Sequence, residues 1–243
     1  MVHISDSEKI DPFLKRRLLV IQKKDGYRFS VEAVILANYI DPSKDDKLID
    51  LGTGCGIIPL ILAQKKEIGG IVGIEIQKDL ADLARRNIKL NNFGHCVRIL
   101  EEDFRNVKSI FKRAEFDLVV SNPPFFRADS GRINPQEEKA MARHEIKGSL
   151  YDLIEISAYL VKPGGKVIIV YPAARLIDVI SCLEKNKLKP KILQLIYSDP
   201  KSSGKLVIIE SKRGNSSEIK IKPAFFIRDN AGIYTSVMEE YFS

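Results

Sequence analysis

Short Val- and Ile-rich runs alternate with amphipathic helical segments through the middle of the chain, and this alternation limits the possible folds more than any other feature. Such apolar runs are typical of strands buried on both faces, with the intervening helices covering those faces. The alternation therefore predicts an α/β fold with a parallel sheet and helices on both faces. The predicted strands are 47–50, 70–76, 97–100, 116–121 and 165–172, and the predicted helices begin at Ile57, Lys78, Ser149 and Ala173.

The alternation of strands and helices ends after the last of these helices. Two β-like runs, PKILQLIYSD and KLVIIESK, are joined by PKSSG with no helical segment between them, which predicts an antiparallel hairpin. With the five parallel strands, this gives a seven-stranded, mostly parallel, Rossmann-like sheet that ends in a C-terminal antiparallel hairpin. We expect a basic N-terminal arm (1–24), a main domain (25–222) and a C-terminal tail (223–243) that packs on the domain.

Composition narrows the class of protein. The chain has 243 residues, of which 44% are hydrophobic and 29% charged, as in ordinary globular proteins. The first residues contain no apolar signal-peptide core, so a cytoplasmic location is expected. The cysteines and histidines lack the spacing of a disulfide framework or a metal site, so neither is predicted. These residues are Cys55, Cys96, Cys182, His3, His95 and His144.

The net charge of +7 is unevenly distributed. Residues 185–222 contain ten Lys or Arg against three Asp or Glu, and this excess falls on the predicted hairpin. A concentrated positive surface suits a polyanion, although a solvated Lys-rich surface gives the same count. If the partner is a nucleic acid, the predicted contacts are Lys187, Lys189 and Lys191.

A glycine-rich loop, Asp50–Gly56, connects the first predicted strand to the first predicted helix. Its spacing is G-x-G-x-G after an acid, whereas the dinucleotide fingerprint is G-x-G-x-x-G. The loop therefore suits the zwitterionic methionine and ribose of S-adenosylmethionine better than a diphosphate, because an acid can balance the ammonium group. The loop residues assigned to this cofactor are Asp50, Gly52, Thr53, Gly54 and Gly56.

Acids also follow the next two predicted strands. Glu75 ends the second strand, where a carboxylate can accept hydrogen bonds from ribose hydroxyls, and Asp103 follows the third, where it can accept from an adenine amine. Each acid alone could equally cap a helix or face solvent. Ligands bind at the carboxyl ends of such strands, so the series of three acids favours one cofactor site.

The fourth predicted strand leads into Ser121-Asn122-Pro123-Pro124-Phe125-Phe126. Consecutive prolines stiffen the turn and remove two amide donors, which leaves carbonyl acceptors. The Asn122 side-chain oxygen and the Pro123 carbonyl can accept both hydrogens of a planar NH2 group, while Phe125 can stack on the ring that carries it. The tetrapeptide Asn122, Pro123, Pro124 and Phe125 is therefore the predicted catalytic site.

With this tetrapeptide and the loop DLGTGCGIIPLILA, the chain resembles class I amino-methyltransferases over nearly all of residues 25–211. The segments LLVIQKKDGYRFSVEAVILANYI, SNPPFF and ARHE (142–145) are similar to the bacterial family that methylates adenine N6 beside the anticodon of a valine tRNA. The resemblance implies the class I methyltransferase fold, cofactor binding by the loop and acids above, and a border formed by Phe29 and Ser30. Phe125 departs from the Tyr often found in adenine-specific members, so it keeps the stacking face without the hydroxyl.

The acceptor is the less determined half of the reaction. A long polar segment, 126–148, is expected to be a substrate-gripping lid or an exposed excursion, with Phe126, Arg127, Arg143 and His144 as candidate contacts to an RNA substrate. RNA adenine N6 is the working hypothesis, with tRNA as the expected partner. Protein glutamine N5 and ribosomal RNA guanine N2 offer the same planar amine. An inactive module that binds cofactor and RNA, or a dehydrogenase, is a further alternative.

Overall fold

The computed structural model describes residues 2–25, 28–65, 67–123, 149–214 and 218–242. The strands are β1 (Glu8–Phe13), β2 (Leu18–Lys23), β3 (Lys47–Leu51), β4 (Gly70–Glu75), β5 (Val97–Glu101), β6 (Phe116–Ser121), β7 (Val161–Pro172), β8 (Leu188–Tyr197), β9 (Gly204–Arg213), β10 (Lys220–Ile221) and β11 (Phe225–Phe226). The helices are α1 (Val31–Tyr39), α2 (Ile57–Lys65), α3 (Lys78–Leu90), α4 (Leu150–Leu160), α5 (Leu176–Lys185) and α6 (Ser236–Tyr241).

One mixed sheet forms the centre of the molecule, in the order β10-β8-β9-β7-β6-β3-β4-β5, with β11 also paired to β8. Strands β3 to β7 are parallel, and β9 runs antiparallel to both β7 and β8. This confirms the predicted mostly parallel sheet with an antiparallel C-terminal hairpin. The two-residue strands β10 and β11, which extend the seven predicted strands to nine, were not predicted.

Buried apolar residues form two clusters, as expected for helices on both faces of the sheet. One cluster joins α1, α2 and α3 to the β1–β2 pair, and the other contains α4, α5 and a short 3-10 helix, Phe104–Ser109. Helix α3 separates its apolar and charged faces, which is the pattern that predicted it. Among the helices of the described ranges, none is both long and apolar enough to cross a bilayer.

Local chemistry explains where α4 and α5 begin. Ser149 caps α4: its hydroxyl accepts from the Asp152 amide at 3.2 Å, and its own amide donates to the Asp152 carboxylate at 2.9 Å. The predicted helix at Ala173 opens as a 3-10 turn and becomes α-helical at Leu176. Strand β7 begins at Val161, directly after α4, so the predicted strand 165–172 was four residues too short.

The N-terminal segment, expected to be a basic arm, contains an antiparallel hairpin that the sequence analysis did not identify. Leu18, Val20 and Ile21 of β2 are fully buried in the same cluster as α1 and α2. The C-terminal tail joins this cluster through Met238, which is also fully buried, and Phe242 packs edge-on against Phe13. Both ends of the chain thus pack against one face of the sheet.

Two asparagines of α3 hold the free edge of β2 in the way that a neighbouring strand would. Asn91 accepts from the Leu19 amide at 2.9 Å and donates to the Leu19 carbonyl at 2.8 Å. Asn87, fully buried, accepts from the Ile21 amide at 2.7 Å and donates to the carbonyls of Ile21 and Cys55. Because Cys55 belongs to the glycine-rich loop, Asn87 ties the N-terminal hairpin to that loop.

Asn87→Asp is expected to lower the free energy of unfolding by about 3 kcal/mol, because the carboxylate would face two carbonyls inside the core. Asn91→Asp is the matched control, because Asn91 makes the same pair of hydrogen bonds to β2 as Asn87 but is only half-buried. Its expected loss is about 1 kcal/mol. Urea denaturation at pH 7 measures both. Equal losses would contradict the bridging role assigned to Asn87.

Candidate active site

A cleft of about 600 Å³ opens at the carboxyl edge of the parallel strands. Its walls come from the segments that follow β3, β4, β5 and β6, together with Tyr171 near the end of β7 and residues around the start of α4. Because these five strands are parallel, their carboxyl ends meet at a single edge of the sheet. The volume lies within the range of small-molecule sites.

The glycine-rich loop forms the floor of this cleft. Gly52, Gly54 and Gly56 have φ values of +80°, +58° and +81°, which confirms the sharp turns that the alternate glycines predict. Gly52 and Gly54 line the cleft, and Gly56 instead packs against Ala84 of α3, where a Cβ would approach to 3.2 Å. The loop thus combines close access for a ligand with tight packing on a helix.

Asp50, at the junction of β3 and this loop, is completely buried and does not itself line the cleft. Neither of its carboxylate oxygens, nor the nearby Thr53 hydroxyl, has a hydrogen-bond partner within the described part of the chain. Burial raises the pKa of Asp50 to about 7; the Thr53 hydroxyl, which is near the carboxylate but does not make a hydrogen bond of normal geometry, lowers it, and the negative charge of Glu75 raises it further. A buried acid without partners is costly, so these oxygens fit a site that a cationic ligand completes.

Glu75 ends β4, as predicted, and is almost fully buried at the wall of the cleft. One carboxylate oxygen accepts from the Gly54 amide at 3.0 Å and the other from the Gln77 amide at 2.9 Å. These two bonds fix the carboxylate relative to the glycine-rich loop. Each oxygen keeps a lone pair that can accept from a ligand hydroxyl.

Asp103 does not line the cleft that the structure describes. Its carboxylate accepts from the Arg105 amide at 2.9 Å, which caps the 3-10 helix, and it also pairs with the Arg105 guanidinium. Burial raises the pKa of Asp103, but the bonds from Arg105 outweigh this effect and leave the pKa below its usual value. The neighbours Glu102 and Phe104 line the cleft instead.

Asn122 and Pro123 line the cleft where β6 ends. The Asn122 amide nitrogen lies 3.2 Å from the Ser30 hydroxyl, and Ser30 also caps α1 and lines the cleft. The Asn122 side-chain oxygen is buried and has no partner among the residues described. The amide therefore holds an unused acceptor at the cleft. Ser121, one residue earlier, fixes β6 by donating to the Leu51 carbonyl at 2.7 Å.

Several predicted site residues lie elsewhere. Phe29 packs edge-on against Phe13 and does not line the cleft. Lys187, Lys189 and Lys191 stand at the start of β8, and Lys189 is level with Lys212 and, through it, with Lys166 near the start of β7. They occupy the edge of the sheet opposite the cleft. The predictions for Pro124, Phe125, Phe126, Arg127, Arg143 and His144 fall outside the described residues.

The structure adds cleft residues that the sequence analysis missed. Lys23 and Arg28 border the entrance, and an apolar wall comes from segments distant in sequence. Ile76 gave one usable signal in the sequence, because a large apolar residue directly follows the acid at a strand end. In the structure its side chain is 38% exposed at the cleft. The other aliphatic and phenyl side chains that line the cleft are Leu51, Ile74, Leu80, Phe104, Leu150 and Leu153.

This combination defines a class of protein. A polar floor with a buried unpaired acid, a strand-end carboxylate and an apolar slot fit the methionine, ribose and adenine parts of S-adenosylmethionine. On this fold they define a class I S-adenosylmethionine-dependent methyltransferase. No cluster of three potential metal ligands occurs in the described residues.

The comparisons with known proteins agree with this class. The family model described as "Methyltransferase small domain" matches residues 28–185. A tRNA1(Val) (adenine(37)-N6)-methyltransferase from a Flavobacteriaceae bacterium is 29% identical over 90% of this chain and 91% of its own length. One from Porphyromonas gingivalis is 34% identical over 70% of this chain and 68% of its own length. A solved predicted O-methyltransferase from Agrobacterium tumefaciens superposes with a TM-score of 0.70, at 17% identity, over 86% of this chain and 94% of its own.

The chain belongs to the methyltransferase small domain family and is related to the tRNA1(Val) adenine-N6 methyltransferases. It is a methyltransferase that uses S-adenosylmethionine. The solved structure, at its low identity, supports the fold alone.

Proposed function

We propose that this enzyme methylates the exocyclic N6 amine of an adenine in RNA, with a tRNA as the substrate. The observation that carries the proposal is the buried, unpartnered side-chain oxygen of Asn122 at the cleft, directly before the prolines. The choice of tRNA draws support from the related proteins, which are tRNA1(Val) (adenine(37)-N6)-methyltransferases. In this proposal the enzyme methylates tRNA in the cytoplasm.

Asn122 and Pro123 position the acceptor nitrogen in this proposal. The Asn122 oxygen accepts one N–H of the planar amine, and the Pro123 carbonyl accepts the other. With both hydrogens held, the nitrogen lone pair points out of the plane of the base and toward the donor side of the cleft. Phe125, from the sequence alone, is assigned to stack on the base.

The cofactor, when bound, supplies a methyl group on a positively charged sulfur. The acceptor nitrogen therefore needs no strong base, and its proton leaves to solvent after transfer. Asp50 is proposed to balance the cofactor's ammonium group, and Glu75 to accept from its ribose hydroxyls. The apolar wall around Leu80 and Phe104 would exclude water from the adenine slot.

The remaining amine classes are distinguished by the product. Guanine N2 and glutamine N5 offer the same planar NH2 to Asn122 and Pro123, so the geometry of these two residues does not separate them. The related tRNA enzymes favour adenine.

Incubation with labelled S-adenosylmethionine and total RNA, followed by digestion to nucleosides, is expected to place the label in N6-methyladenosine from the tRNA fraction. Total cell protein serves as the competing substrate, and the Asn122→Ala protein as the inactive control. Label in N2-methylguanosine would overturn the choice of base. Label confined to protein would overturn RNA as the substrate.

A further inference from the structure

Three consecutive cations stand at the tip of the N-terminal hairpin. Lys15, Arg16 and Arg17 are exposed, and none of them has an ion-pair partner within the described residues. No acid occurs from residue 12 to residue 24. The tip therefore presents three uncompensated positive charges within one turn.

The backbone of this turn is unusual for such residues. Leu14, Lys15 and Arg16 have φ values of +48°, +48° and +68°, and the Arg17 amide closes the turn on the Leu14 carbonyl at 2.9 Å. Positive φ at both central positions is the requirement of a type I′ turn, where Asn-Gly is the favoured pair. Long cationic side chains thus occupy two positions at which this backbone conformation favours Asn and Gly. Such a departure is commonly found where function demands it.

A second group of cations lies beside the last turn of α3. Lys89 and Arg98 are exposed and border a shallow groove of about 480 Å³ between α3 and the edge strand β5. Arg85 and His95 also border it, and Arg85 pairs with Glu101 at 3.4 Å. Residues 83–100 contain no Asp or Glu. Lys89 and Arg98 have no ion-pair partner in the part of the chain that the structure describes.

The contacts between β2 and α3 bring the two groups together. The double hydrogen bond of Asn91 to Leu19 fixes the hairpin tip next to the end of α3, two residues from Lys89 and two from Arg17. Strand β2 then runs from the tip to Lys23, which lines the cleft and pairs with Asp79. Arg98 stands near the start of β5, so these cations lie at the edge of the sheet opposite the cleft, and β2 is the path along which a ligand bound there can extend to the active site. We call Lys15, Arg16, Arg17, Lys89 and Arg98 the α3 basic surface.

We propose that the α3 basic surface binds the phosphate backbone of the RNA whose base enters the cleft, an inference that rests on the proposed function. Adjacent Arg and Lys without acids suit closely spaced phosphates, and guanidinium groups can bind phosphate oxygens in pairs. The lysines at the start of β8 are less suitable. Lys189 pairs with Glu184 at 3.3 Å, and they stand at the far lateral end of the sheet.

The test replaces the two turn residues by the pair that the turn favours, Lys15→Asn/Arg16→Gly. The melting temperature should rise by roughly 3 °C, because the new residues adopt positive φ without strain. The affinity for tRNA at 0.1 M salt, measured by fluorescence anisotropy, should fall roughly 10-fold. The slope of log affinity against log salt should become shallower by roughly 1.5. Lost binding in a more stable protein cannot be attributed to unfolding.

Two controls locate the effect. Lys112→Ala/Arg113→Ala removes the same charges from an exposed loop before β6, and its affinity should stay within two-fold of the wild type by this inference. Lys187→Ala/Lys189→Ala/Lys191→Ala tests the C-terminal hairpin. If that triple change flattens the salt slope and the turn change does not, the inference is overturned. Equal losses in the turn variant and the Lys112/Arg113 control would also overturn it, since net charge alone would then explain the binding.

The proposed function can fail separately. A wild-type protein that binds tRNA through this surface but leaves no label in adenosine would keep the inference and overturn the activity. Methylated tRNA with unchanged affinity in the turn variant would do the reverse. A wild-type protein that binds no RNA at low salt would overturn both.

Discussion

Asn122→Ala is expected to lower kcat about 10³-fold while the affinity for S-adenosylmethionine stays within a few-fold of the wild type. The change removes the Asn122 side-chain oxygen, a cleft acceptor at the end of β6 that is buried and has no partner among the residues described. Without it the amine can rotate away from the productive orientation, while the contacts proposed between the cofactor and Asp50 and Glu75 are unaffected. Single-turnover methyl transfer and calorimetric titration with S-adenosylhomocysteine measure the two quantities separately.

Ser30→Ala provides a graded control for this experiment. It keeps the acceptor oxygen and removes the hydroxyl that lies 3.2 Å from the Asn122 amide nitrogen, so the loss of kcat should be intermediate. It also removes the α1 cap, which costs about 1 kcal/mol of stability. A loss of cofactor affinity in Asn122→Ala as large as the loss of kcat would show that this residue belongs to the cofactor site.

Asp50→Asn is expected to weaken S-adenosylmethionine binding about 100-fold and, at the same time, to stabilise the free protein by up to about 4 kcal/mol at pH 8. The free energy cost in the wild type arises because burial raises the pKa of Asp50 to about 7 from 3.8. Between these two values the native state holds a proton that the unfolded state has lost. The stability of the wild-type protein therefore falls as the pH rises from about 4 to 7, and the loss is complete above that range.

Two measurements follow from this coupling between protonation and stability: the pH dependence of unfolding and the proton released when a ligand binds. Urea denaturation from pH 4 to pH 8 should show a downward contribution in the wild type that Asp50→Asn lacks, with the two proteins alike near pH 4. Binding of S-adenosylhomocysteine at pH 6 should release a proton, because the ligand's ammonium favours the ionised acid. Calorimetry in buffers of different ionisation enthalpy detects this release. The same cofactor affinity in both proteins would contradict the charge pairing.

The fold was largely predictable, because parallel strands buried on both faces appear in the sequence as short runs rich in Val and Ile. The runs at 47–50, 97–100 and 116–121 lie within one residue of the observed strands. The β1–β2 hairpin was not predictable in the same way. Its second strand obtains its edge partners from Asn87 and Asn91, 66 and 72 residues away, and no local periodicity reports such side-chain pairing.

The same distinction between local pattern and tertiary contact separates the site residues that could be predicted from those that could not. Asp50, Glu75 and Asn122 follow strands, and the topology alone brings strand ends together. Within the run Glu101-Glu102-Asp103, sequence could not decide which acid faces the cleft, because the choice depends on Asp103 capping the 3-10 helix through Arg105. The number of lysines in the C-terminal hairpin likewise did not show which edge of the sheet they occupy. The hairpin itself was predicted, but its place in the sheet was not: β9 pairs antiparallel with β7, which makes β8 parallel to β7 and puts those lysines opposite the cleft.

The asparagine contacts of β2 also bear on the order in which the chain can fold during synthesis. Residues 18–23 leave the ribosome well before α3, whose asparagine side chains complete their edge from 66 and 72 residues further along the chain. Until then the hairpin exposes unpaired amides and carbonyls, which other strands could bind. The β4–α3 segment must therefore form before the edge of β2 is protected, so β2, although it is made before α3, becomes native after it.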